Sequence, residues 1–143
     1  IEPQDFRNKD RELVYSCLGM AADGKGFLIS VMGTDLGSGQ AVTYYREPGQ
    51  YAEVEGIAPD ESWATVECGE QATAALPKLD ICRLDLKAGA TPALLVNGHS
   101  ENSTDISNPV VSPDGKWIAF QKSDSESDDI GGGHGLYRIR IGK

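Results

Sequence analysis

Asn108-Pro109-Val110-Val111-Ser112-Pro113-Asp114-Gly115-Lys116-Trp117-Ile118-Ala119-Phe120 is the stretch that decides the fold. Two apolar runs flank a short polar corner. Pro113 fixes φ for entry into a turn, Asp114 can bond its own backbone, and Gly115 accepts positive φ. Asp-Gly between apolar runs is a strong hairpin signal. The stretch therefore predicts a strand near Asn108–Ser112, a tight turn, and a second strand near Trp117–Lys122. Leu136-Tyr137-Arg138-Ile139-Arg140-Ile141 alternates apolar and polar residues, as a half-buried third strand should.

The same order of features recurs upstream. Ala58-Pro59-Asp60-Glu61-Ser62-Trp63 repeats the corner with Glu61 in place of Gly, and Ile81–Leu86 supplies an alternating outgoing strand. Ala22-Asp23-Gly24 followed by Phe27-Leu28-Ile29 gives a fainter first copy, with Ala41–Tyr45 as its outgoing strand. Thr91–Val96 reads as a fourth, outer strand of the second unit. No segment shows a capped 3.6-residue apolar period. The chain is read as all-β, with units at about 13–50, 51–97 and 106–143, each the length of a four-stranded unit.

Asn108–Phe120, and Gly135-Leu136-Tyr137 after it, resemble the repeat of TolB-like β-propellers (also described as PD40 or WD40-like), which centres on Ser-Pro-Asp-Gly-Lys. Ala58-Pro59-Asp60 matches this pattern in part and Ala22-Asp23-Gly24 weakly. The resemblance implies a partial β-propeller of about three four-stranded antiparallel blades. Proteins with such blades include periplasmic TolB, which binds other envelope proteins, and propeller domains of serine peptidases and polysaccharide lyases. Closed propellers have roughly four to eight blades. Bare strand edges and apolar flanks invite association. The expected partners are therefore further blades, from another chain, from a second copy, or preferentially from an upstream part of the same polypeptide. Ile1, which looks like an internal start, favours the last.

The 143 residues carry 22 Asp+Glu and 13 Lys+Arg, a net charge of −9. That balance argues against a nucleic-acid partner and against an anionic membrane surface. No run is long enough for a membrane-spanning helix. Three cysteines, Cys17, Cys68 and Cys82, leave at least one thiol unpaired. A bridge between Cys68 and Cys82 is conceivable across one hairpin, but buried free thiols are the simpler expectation.

The chemistry-bearing candidates are few. Asp124, Glu126 and Asp128 alternate as at the start of a calcium loop, but Asp129 and Gly135 occupy the places of the turn glycine and the bidentate acid. A solvated acidic loop is the plainer reading. Calcium is the one cofactor the sequence suggests. His134 follows Gly131-Gly132-Gly133, which serves a sharp chain reversal better than a nucleotide site. With His99 it completes the histidine count, so a multi-histidine metal site within this chain is excluded. Trp63 and Trp117 follow matched turns and suit packing between blades, or else a stacking platform for sugar rings. The acidic pairs Glu53/Glu55 and Asp80/Asp85 would make a glycosidase dyad if folding set them roughly 5–10 Å apart. No G-x-S-x-G is present.

The leading expectation is a non-catalytic TolB-like scaffold that binds a protein or glycan outside the cytoplasm, in the periplasm or the extracellular space. Candidate binding residues are Trp63, Trp117 and His134. Two alternatives stand beside it. One is a portion of a propeller enzyme (a polysaccharide lyase or hydrolase) with its catalytic residues on other blades. The other is a structural subunit that completes a homomeric assembly.

Overall fold

A computed structural model describes residues 1–20, 24, 27–70, 79–98, 104–124 and 133–142. These contain eleven strands and no α-helix: β1 (Glu2–Arg7), β2 (Glu12–Met20), β3 (Phe27–Asp35), β4 (Ala41–Arg46), β5 (Gln50–Ile57), β6 (Trp63–Glu70), β7 (Asp80–Asp85), β8 (Ala93–Val96), β9 (Thr104–Val111), β10 (Trp117–Asp124) and β11 (Gly133–Arg140). They form three antiparallel sheets, β1-β2-β3-β4, β5-β6-β7-β8 and β9-β10-β11, so each chain segment pairs with its immediate neighbours. This is the expected partial propeller, with three strands rather than four in the third sheet among the described residues.

The sheets stack face to face, first on second and second on third. Val14, Val31 and Tyr44 pack against Ala52, Val54, Val66 and Leu84 in the first seam. Trp63 and Ile81 meet Ile106, Ile118 and Phe120 in the second. Strand β6 is buried on both faces because it lies in the middle sheet, and its run of alternating Ala, Thr, Val and Glu serves two seams at once. Gly56 sits where β5 approaches β9: a Cβ there would lie 3.2 Å from the Pro109 carbonyl oxygen. A larger residue would have to push its neighbours back by a few tenths of an ångström.

The Pro113–Lys116 corner joins β9 to β10, with Gly115 at φ 68°. The Pro59–Ser62 corner closes equally well, because Glu61 itself adopts φ 58°. Its carboxylate takes the Asn8 N–H and its carbonyl takes an Arg7 guanidinium N–H, which holds that conformation. The first sheet differs from the sequence reading in register. Its matching corner is Asn8-Lys9-Asp10-Arg11, between β1 and β2, with Asp10 at φ 62°. Gly24 lies instead between the second and third strands, and Asp23 is outside the described residues. The strand equivalent to Ile81–Leu86 is accordingly β3, and Ala41–Tyr45 falls in the outermost strand. Pro3, Asp5 and Arg7 hid β1, since its alternation carries little apolar signal.

Cys68 and Cys82 are joined in a disulfide between β6 and β7, with Cα atoms 6.0 Å apart. This corrects the expectation of free thiols: Cys68 stands beside the Val66–Cys82 pair on the same face, a diagonal within bonding reach. Cys17 is free and partly exposed.

Candidate functional site

Among the described residues, three carboxylates converge midway along β5 and β6. Along β5, Ala52 and Val54 turn into the first seam, which leaves Tyr51 and Glu53 on the other face. A β-bulge follows: Val54 pairs with Val66 and Gly56 with Thr65, so Glu55 is the extra residue. Residues two apart along a strand share a face, and the Glu55 carboxylate lies beside that of Glu53. Glu67 on β6 stands directly opposite Glu53. One carboxylate oxygen from each of Glu53, Glu55 and Glu67 lies within 4.8 Å of the other two.

The electrostatics follow from crowding. Burial first, then the Glu67, Glu53 and Glu2 charges, push the Glu55 carboxyl up to about 7. Burial also raises Glu53, with Glu2 and Glu67 adding to it while the Tyr51 hydroxyl bond opposes it. Glu67 is raised by burial and held back by the Asn108 N–H, which it accepts at 2.7 Å. The Tyr51 hydroxyl donates to Glu53, and its own titration is driven upward by burial and then by that bond. Such a group of oxygens suits a hard divalent cation or the ammonium or guanidinium head of a basic side chain. All three carboxyls hold their protons to higher pH than ordinary carboxylates do.

The sequence candidates are dispersed. Trp63 is buried in the second seam, with the Arg83 guanidinium 4.7 Å above its ring. Trp117 lies partly exposed on the outer face of the third sheet, with Arg138 4.5 Å and Arg140 6.0 Å from the ring centroid. His134 is exposed on β11 beside a register shift. Asp124 ends β10; Glu126 and Asp128 lie outside the described residues. Glu53 and Glu55 are brought together, whereas Asp80 and Asp85 occupy opposite ends of β7. Asp80 accepts the Gly98 N–H, and Asp85 pairs with Arg83 and Lys87. Sequence reasoning missed Glu67 and Tyr51 as members of the cluster. The signal was present in the alternation of β5, but the pairing register was not.

In the first seam, away from this cluster, Arg7 is a structural pin. It pairs with Glu12 at 2.9 Å, donates to Tyr44, and donates to the carbonyls of Glu61 and Leu86.

A solved structure described as a candidate TolB from Agrobacterium tumefaciens is similar to this chain, with a TM-score of 0.61 at 15% identity. The match covers 89% of this chain and 40% of that one, so the chain spans about two fifths of its length. No protein-family model matches the chain, and no curated protein matches it. At this identity the likeness shows the fold: a partial propeller of the TolB kind.

Proposed function

We propose that the chain is part of a non-catalytic binding scaffold of the TolB-like kind, acting outside the cytoplasm. The observation that carries this reading is the TolB-type propeller architecture with a carboxylate cluster midway along β5 and β6. A propeller sheet is a rigid support, and binding groups mounted on it lose little freedom on association. The cluster favours a protein segment bearing Lys or Arg over a neutral glycan, because the buried carboxylates gain a partner for their charge. The Cys68–Cys82 disulfide supports an oxidising compartment, periplasmic or extracellular. Calorimetry with a lysine-rich peptide and, separately, a neutral oligosaccharide tests this. The reading expects salt-sensitive binding of the peptide that weakens in Glu53→Gln and Glu55→Gln. Peptide binding unchanged by both substitutions, or none, would end it. In the same instrument a calcium titration with and without Asp124→Ala tests the acidic loop as an ion site.

A second reading, a glycoside-cleaving enzyme, is favoured by the closeness of Glu53 and Glu55 together with the elevated Glu55 carboxyl. Release of a chromogenic aglycone that disappears in Glu55→Gln would select it over the scaffold.

A further inference from the structure

Asn97-Gly98 is the one Asn-Gly pair in the sequence. It follows β8 directly, with Asn97 exposed and Gly98 buried. Asparagine is a thermolabile residue, and most so before glycine, where no side chain obstructs the reaction. The glycine backbone nitrogen loses its proton and attacks the asparagine Cγ. A C–N bond forms, ammonia leaves, and water opens the five-membered imide. The sum is one water consumed and one ammonia released. The product is aspartate, or isoaspartate with a main chain one methylene longer.

The packing around position 98 does not let another residue remove this lability. A Cβ there would collide with the Leu79 carbonyl oxygen and would lie 2.9 Å from the Ile106 side chain. The first is a main-chain atom, and the second belongs to the core of the second seam. Glycine is therefore required by close approach, and any protection must act on its nitrogen.

That nitrogen is held. Gly98 donates its N–H to Asp80 Oδ1 at 2.8 Å. The bond retains the proton that the reaction must remove, and the carboxylate charge opposes an anion forming beside it. Asp80 opens β7 and pairs with Cys68, itself bridged to Cys82 on the same strand. The acceptor thus stands on a braced sheet rather than on a loop, and the reaction must wait for a local opening.

We propose that Asn97 is a deamidation site of this chain, that Asp80 sets its rate, and that the isoaspartate product loosens the second seam. Asp80 is a positioning residue here, acting through the Gly98 N–H. The longer main chain of isoaspartate has no room between Leu79 and Ile106, so the damage passes to β9. The proposal is independent of what the Glu53, Glu55 and Glu67 cluster binds.

Ageing the folded chain at neutral pH, followed by peptide mapping with mass spectrometry, tests it. Asp80→Ala frees the Gly98 N–H and should deamidate at Asn97 roughly tenfold to a hundredfold faster than the unaltered chain. Asp80→Asn keeps an acceptor but drops the charge, and its rate should fall between the two. Arg7→Ala weakens the first seam and leaves the Gly98 N–H bonded, so its Asn97 rate should match that of the unaltered chain. The purified isoaspartate form should unfold at a lower temperature than the fresh chain. Four results would each overturn the proposal. One is an unaltered folded chain that reacts as fast as a free peptide of the sequence Leu95–His99. Another is no acceleration in either Asp80 variant. The others are an equal acceleration in Arg7→Ala and an isoaspartate form as stable as the fresh chain.

Discussion

Glu67 takes the backbone N–H of Asn108 at 2.7 Å across the second seam, while Asn108 holds φ 53°. One buried carboxylate thus fixes a strained inner-strand residue of the next sheet. Glu67→Ala leaves that N–H without its acceptor and should cost about 1–3 kcal/mol in urea unfolding. Glu67→Gln keeps an acceptor and removes a crowded charge, so its cost should be under about 1 kcal/mol.

Acidification should stabilise the fold. Glu55, whose ordinary value is 4.5, is pushed up to about 7 in the folded chain, and Glu53 and Glu67 move the same way. The folded state therefore holds protons that the unfolded chain releases. The contribution is complete below the unfolded values and is lost as pH rises through the folded ones. The thermal midpoint should fall by a few degrees between about pH 5 and pH 8, and Glu55→Gln should flatten the slope. A midpoint that rises over this range would contradict the assignment.

Opening the Cys68–Cys82 disulfide should loosen the middle sheet. The bridge closes a loop of sequence separation 14, for which chain entropy gives about 3 kcal/mol. The double substitution Cys68→Ala with Cys82→Ala, followed by denaturant unfolding, should show a loss of that order. Reduction of the unaltered chain should shift the midpoint in the same direction, while reductant should leave the double variant unmoved.

Arg7 offers a sharper cut at the first seam. Arg7→Ala takes the cation from the Glu12 carboxylate, which is 9% exposed and keeps the neutral Asn8 and Tyr44 donors. Removing one partner of such a buried pair should cost about 3–5 kcal/mol. Arg7→Lys should recover little, because one ammonium cannot serve Glu12, Tyr44 and two carbonyls in a planar fork.

Much of the architecture was legible. The Pro113–Lys116 corner and the alternation of Leu136–Ile141 carry local turn and strand chemistry, and both elements formed where read. The first sheet was harder. Its true corner, Asn8–Arg11, has neither Pro nor Gly and reaches left-handed φ through Asn8, Lys9 and Asp10, so Asp23-Gly24 drew the reading one strand too far. The acidic site was legible in part. Glu53 and Glu55 stood out as a pair, but Glu67 joins them through strand register, which a single sequence does not display. The disulfide depended on the same missing information.

The central claim, three stacked sheets of one incomplete ring, is tested most directly by a through-space NMR contact map. The account predicts ladder contacts within each sheet and side-chain contacts across the seams. Among these are the Ser16 β-protons to the Val54 N–H and the Glu67 side chain to the Asn108 N–H. Ladder contacts joining Ala41–Arg46 to Gln50–Ile57, which would make one continuous sheet of the first two, would contradict it.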